Sequence, residues 1–194
     1  FKARCKSYKT KKIVKKMKIK KTPFKGLLLI QHKNNVDKRG SLREIYNAKK
    51  LKFSKFIFDY CTVSKKNALR GFHFQYKFQQ AKYVNVLKGK ILDCVIDLRK
   101  NSKTFGKTFK IILSKENAIG LYIPAGFGHA YYSYNAENII YYKLDNYYMS
   151  KFENGIIYND KKIKIKWPKK KIGLSKKDRN LGSFKDFCLK FKGL

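Results

Sequence analysis

The clearest periodicity in the chain lies between Ile91 and Leu98, where Leu92, Cys94, Ile96 and Leu98 alternate with Asp93, Val95 and Asp97. A period of two marks a strand, because successive side chains leave a pleated backbone on opposite faces. Similar runs occupy about 56–63, 68–75, 81–88, 108–114, 119–124, 129–134 and 137–143. Turn formers separate them: Lys88-Gly89-Lys90, Asn101-Ser102, Pro124-Ala125-Gly126 and Asp145-Asn146. Helical periodicity is weak and predicts only short helices, near 46–53 and in the C-terminal region. The stretch 161–171 (KKIKIKWPKKK) is low in complexity but alternates at Ile163 and Ile165, with its lysines expected on a solvated face. Many short strands at this spacing, with no internal repeat, predict an all-β sandwich or barrel.

Composition fits that picture. A chain of 194 residues with a hydrophobic share of 43% suits one domain around one core. Its 15 Phe and 14 Tyr favour half-buried pleated surfaces. Residues 1–16 are basic, lack the apolar stretch of a secretory signal, and read as a disordered tail, with Met17 a candidate natural start. The domain is expected over 17–182, with 183–194 a C-terminal tail.

Charge changes the picture less than its size suggests. The net charge of +36, from 48 basic and 12 acidic residues, points first to nucleic acid. Yet only Arg4, Arg39, Arg43, Arg70, Arg99 and Arg179 carry the guanidinium fork that base and phosphate readout prefer. The lysines run along the whole chain rather than in one stripe, as the codon bias of an AT-rich genome would place them. Nucleic acid is therefore not the expected partner, although weak attraction of polyanions, a diphosphate included, follows. No segment approaches the ~20 apolar residues of a membrane span, so no membrane partner is expected. Cys5, Cys61, Cys94 and Cys188 are far apart, with neither CxxC nor zinc spacing. Reduced thiols in a cytoplasmic protein account for them most simply.

The candidate chemistry centres on three histidines: His32, His73 and His129. The last two lie in RGFHFQ (70–75) and PAGFGHAYY (124–132), where glycine permits close approach of backbone or ligand. A lone strand His is more often a hydrogen-bonded structural residue than a catalyst. Phe74 and Gln75 follow His73, so an HxH pair of metal ligands is missing and no metal is expected. No GxGxxG follows a strand and there is no P-loop, so no nicotinamide or other cofactor is expected. Tyr141, Tyr142, Tyr147 and Tyr148 could be strand aromatics of the core, and Asp178 could cap a helix.

Seven segments carry a family resemblance: RGFHFQ, the run 80–107 from QAKYVN to KTFGK, LSKEN (113–117), IPAGFGHA (123–130), YYKLDNYY (141–148), NDKKIKIKWP (159–168) and LSKKD (174–178). In order and near-fixed spacing, over about 22–182, they resemble the dTDP-4-dehydrorhamnose 3,5-epimerases. The resemblance implies a cupin jelly roll, a homodimer, and cofactor-free proton transfer beside the 4-keto group of a nucleotide-linked 6-deoxyhexulose. It implies His73 as base, Asp178 as its orienting partner, Lys82 as the cation beside the enolate oxygen, and Tyr142 as the acid on the opposite face. Arg70 and His129 match sugar and phosphate contacts; Arg39, Glu44, Tyr148, Glu153 and Lys177 match nucleotide or substrate contacts. The chemistry agrees. A carbon acid beside a ketone needs a base near neutral pKa, a charge stabiliser and a second proton carrier.

The sequence also departs from the family. A QDNHS-like segment, whose Gln and Asn help hold substrate, is here Phe58-Asp59-Tyr60-Cys61-Thr62, and Ser41 and Leu42 replace bulky aromatics. These changes leave open the sugar, the base, and inversion at C3, C5 or both. A non-catalytic cupin that binds a sugar nucleotide or an acidic polymer is the alternative.

Overall fold

In the computed structural model, residues 17–168 and 171–194 are described; the expected N-terminal tail, 1–16, lies outside them. The strands are β1 (Lys18–Lys21), β2 (Leu28–Gln31), β3 (Asn34–Asp37), β4 (Gly40–Arg43), β5 (Phe58–Lys65), β6 (Leu69–Gln75), β7 (Lys82–Lys88), β8 (Lys90–Asp97), β9 (Thr108–Ser114), β10 (Ile119–Ile123), β11 (Phe127–Ser133), β12 (Glu137–Leu144) and β13 (Glu153–Gly155). They form a six-stranded sheet, ordered β1-β2-β10-β7-β12-β5, and a five-stranded sheet, ordered β13-β6-β11-β8-β9. Strands β3 and β4 pair only with each other, as a hairpin. The ladders are antiparallel and the sheets face each other, which makes a jelly-roll sandwich.

Alternation sorts side chains into layers. Val84 and Val86, Ile140 and Leu144, Val95 and Ile91 fill the space between the sheets. Leu92, Cys94, Ile96 and Leu98 face the opposite way, into a second apolar layer outside the five-stranded sheet. A third layer, with Ile30, Tyr83, Tyr122 and Leu51, lies outside the six-stranded sheet. Strand β8 is thus buried on both faces.

Three expectations need correcting. Residues 46–53 form a single turn, not a helix. The Asn47 carbonyl accepts from Lys50 and Leu51, while its side chain accepts from Lys49. That side-chain bond competes with helical continuation, and one turn is too short to propagate. The 161–171 stretch contains no strand among its described residues. Asp160 accepts from the backbone of Lys162 and Ile163 and folds the chain back, while Ile163 and Ile165 still reach the outer apolar layer. Residues 183–194 are no tail. They carry helix α2 (Phe184–Phe191), opened by a Ser183–Asp186 capping box, and Phe187 packs against Phe74 at 5.2 Å between ring centroids. Among the described residues, helices occur only near the C-terminus, α2 and the one-turn α1 (Lys176–Arg179), apart from a 3-10 turn at Ser150–Phe152. No helix among them is long and apolar enough to cross a membrane.

Candidate active site

Arg70 and His73 stand three residues apart on β6, a spacing that would normally send them to opposite faces. A bulge reverses this. His129 pairs with His73 and Tyr131 with Arg70, so β6 holds one more residue than β11 between these pairs. Gly71 takes the distorted position at φ +105°, and a Cβ there would sit 2.3 Å from the His129 carbonyl oxygen. Only glycine fits. Leu69, Phe72 and Phe74 then pack outward, while Arg70 and His73 turn towards a cavity of about 480 Å³.

Both sheets line that cavity. Arg70, His73 and Gln75 come from β6 and Glu153 from β13; Phe58 and Tyr60 come from β5 and Lys82 from β7; Ser175, Lys177 and Asp178 close it from α1 and its cap. His73 donates from Nε2 to Oδ1 of Asp178 at 2.5 Å, across 105 residues of sequence. Ser175 caps α1 by accepting from the Asp178 backbone, and its hydroxyl donates to the other carboxylate oxygen at 2.8 Å. The cap thereby aims the carboxylate at the imidazole. Burial raises the Asp178 pKa, but the bonds and charge from His73, with Ser175 and Gly71, outweigh it and hold the carboxyl below its usual range. The Nδ1 of His73 stays free of Asp178 and lies 3.9 Å from Glu153.

Glu153 gathers the mouth of the site. Its carboxylate accepts from the Tyr148 hydroxyl and from Lys177 Nζ. Burial raises its pKa, and Lys177, Tyr148 and His73 together bring it below the usual value. Lys82 is the opposite case. Burial strips water from its ammonium and lowers its pKa to about 8, against the opposing fields of Glu153 and Asp93.

His73, Asp178, Lys82, Arg70, Tyr148, Glu153 and Lys177 therefore meet in one place. The other expected residues do not line this cavity. His129 is buried, with Nε2 bonded to Oδ2 of Asp93 at 2.8 Å. Arg39 pairs with Asp37 at the tip of the β3–β4 hairpin, and Glu44 pairs with Lys50 just beyond it. Tyr142 is only 3% exposed and stacks against Tyr60, its direct partner on β5, with ring centroids 4.8 Å apart. Burial pushes its phenol well above the usual pKa.

Sequence reasoning missed Asp93 as a site residue, although an acidic residue set between Leu92 and Cys94 in mid-strand was a signal. Buried without exposure and with Oδ1 unbonded, it sets negative charge near Lys82. Gln75 was missed as well. Its amide holds the backbone of Phe78, Tyr147 and Met149 and shapes the loop that carries Tyr148.

A double-sheeted jelly roll with a polar cavity lined by both sheets is the cupin architecture, and its His–Asp pair beside an ammonium is equipment suited to moving protons. The comparisons with known proteins name the family. The profile of the dTDP-4-dehydrorhamnose 3,5-epimerases matches residues 21–186. The Shigella flexneri dTDP-4-dehydrorhamnose 3,5-epimerase is 36% identical over 176 residues, 88% of this chain and 97% of that protein. The crystal structure of the Elizabethkingia anophelis enzyme of the same name superposes with a TM-score of 0.81 at 37% identity, covering 88% of this chain and 97% of that one. A Legionella pneumophila dTDP-6-deoxy-D-glucose-3,5-epimerase, solved with dTDP-4-keto-L-rhamnose, gives 0.83 at 35% identity, covering 86% and 92%. The chain belongs to the dTDP-4-dehydrorhamnose 3,5-epimerase family and is an isomerase.

Proposed function

We propose that the protein epimerises a nucleotide-linked 4-keto-6-deoxyhexose, of the dTDP-4-dehydro-6-deoxyglucose type, at C3, C5 or both, in making a rhamnose-like deoxysugar. The observation that carries this reading is the 2.5 Å bond between His73 and Asp178 in a cavity that also presents Lys82. With Nε2–H committed to Asp178, the free nitrogen Nδ1 is the base. It takes the proton from carbon beside the ketone, and the electron pair moves onto the ketone oxygen. Asp178 and Glu153 favour the imidazolium that results. The Lys82 ammonium stabilises the enolate oxygen where charge develops, an effect worth a few kcal/mol in a water-poor site. A phenol of the facing sheet returns a proton on the opposite face; the family resemblance gives that role to Tyr142. Arg70, Tyr148, Glu153 and Lys177 at the mouth bind the sugar and the diphosphate.

The enzyme works as a homodimer in the cytoplasm. The β3–β4 hairpin exposes Val36 (74%) and Leu42 (68%), apolar residues that a second copy would cover. That arrangement gives Arg39 and Glu44 a nucleotide-contact role in the second copy's site. The free thiols of Cys61, Cys94 and Cys188 suit a reducing compartment.

The test is incubation in deuterated water with a nucleotide-linked 4-keto-6-deoxyhexose. Label should enter C3, C5 or both, and His73→Ala should cut entry by about 10²–10⁴-fold without unfolding the protein. No label from any such substrate would leave the non-catalytic cupin as the answer.

A further inference from the structure

A polar bridge crosses the apolar space between the two sheets, and it ends on Arg70. Tyr131, on β11, is the cross-strand partner of Arg70 on β6. Its ring packs among the apolar residues between the sheets. Its hydroxyl nonetheless meets two hydroxyls of β5, in the facing sheet: Thr62 and Ser64, each at 2.9 Å. Ser64 in turn accepts from Nε of Arg70 at 3.1 Å. Tyr131 and Ser64 are each only 2% exposed. Ser64 is itself fixed, because it pairs with Asn138 on β12 and its carbonyl accepts from the Asn138 amide at 3.0 Å. A buried hydroxyl without partners is costly, so these groups hold one another and, through Ser64, one edge of the guanidinium. The far end of that guanidinium is uncommitted. Nη2 makes only a 3.5 Å contact with the Val63 carbonyl, and Arg70 has no ion pair among the described residues.

We propose that Tyr131 and Ser64 are positioning residues, which hold Nε of Arg70 so that its two Nη groups face the cavity as a fork for a diphosphate oxygen. The assignment rests on the epimerase reading above, in which Arg70 binds the sugar nucleotide. Arg70 lines the cavity, whereas Tyr131 and Ser64 do not, so both act through it. A mobile arginine side chain loses rotamer freedom when it binds an anion. One pinned at Nε has lost part of that freedom before the substrate arrives, so affinity rises with no new contact. The bridge also fixes the anion site relative to the base, since Arg70 and His73 leave the same strand.

The test measures binding of thymidine diphosphate by calorimetry and, alongside it, turnover of the 4-keto-6-deoxyhexose nucleotide. Ser64→Ala should weaken thymidine diphosphate by about tenfold and raise KM to match, with kcat within about twofold, since His73, Lys82 and Tyr142 are untouched. Tyr131→Phe keeps the ring and should weaken binding by about threefold. It decides the matter should Ser64→Ala fail to fold. In an Arg70→Ala background both substitutions should be silent, within about twofold, because no guanidinium remains to be held. A loss caused by a looser core would persist in that background and would overturn the proposal. So would unchanged binding in either single variant, a fall in kcat with binding intact, or an unsubstituted protein that does not bind thymidine diphosphate. An unsubstituted protein that binds it but never labels the sugar in deuterated water would instead defeat the epimerase reading and leave the positioning of Arg70 standing, so the two failures are distinguishable.

Discussion

Lys82 shows most directly how single residues set the behaviour of this site. Its ammonium is held where burial lowers the pKa to about 8, yet the proposed chemistry needs it charged. The rate should therefore fall as pH rises through about 8. Lys82→Arg, cationic throughout, should lose that alkaline limb in a pH profile of kcat/KM. The same residue should cost stability. Its folded pKa lies below the unfolded value, so the unfolded chain binds more protons between about 8 and 10.5, and stability should rise with pH across that window. Lys82→Met should abolish activity and raise stability by about 0.5–2 kcal/mol at neutral pH, read from urea unfolding. A variant less stable than the parent would show that the ammonium is compensated in the fold.

At the scale of elements, the β6 bulge positions the base. In a regular strand the three-residue spacing would turn Arg70 and His73 opposite ways and the cavity would keep only one of them. Gly71→Ala combines a positive φ with a Cβ 2.3 Å from a backbone oxygen. It should destabilise the protein by about 2–4 kcal/mol in urea unfolding and reduce activity more than the stability loss explains, because the strand must shift His73 to relieve the clash. A milder element-scale case is α1, where the Ser175 cap aims Asp178. Ser175→Ala should cost about 1 kcal/mol and lower the rate through a misaimed carboxylate, with KM little changed.

For the whole molecule, the charge of +36 and the exposed hairpin make separate demands. Self-repulsion on this scale opposes association, so the proposed dimer should tighten with added salt as charges are screened. Light scattering at rising salt should report about twice the monomer mass, and a monomer at every salt concentration would remove the hairpin's role. If Arg39 serves a second copy's site, Arg39→Ala should raise KM by about tenfold and leave kcat unchanged.

Alternation along the chain determined much of this protein. It located eight of the strands, β5 to β12, to within about two residues, and it separated the two faces of β8. The family resemblance supplied His73 and Asp178, which no local pattern could join across 105 residues. Other parts were invisible because periodicity reports which face a residue takes, not which side chains it meets there. Tyr60 and Tyr142 share a face, and only the pairing of β5 with β12 set their rings against each other. His129 found Asp93 by register, not by spacing. The C-terminal helix spans only Phe184–Phe191, and docking on Phe74 made it part of the core. Local propensity wrote the strands, and burial and register, which depend on the whole chain at once, chose their neighbours.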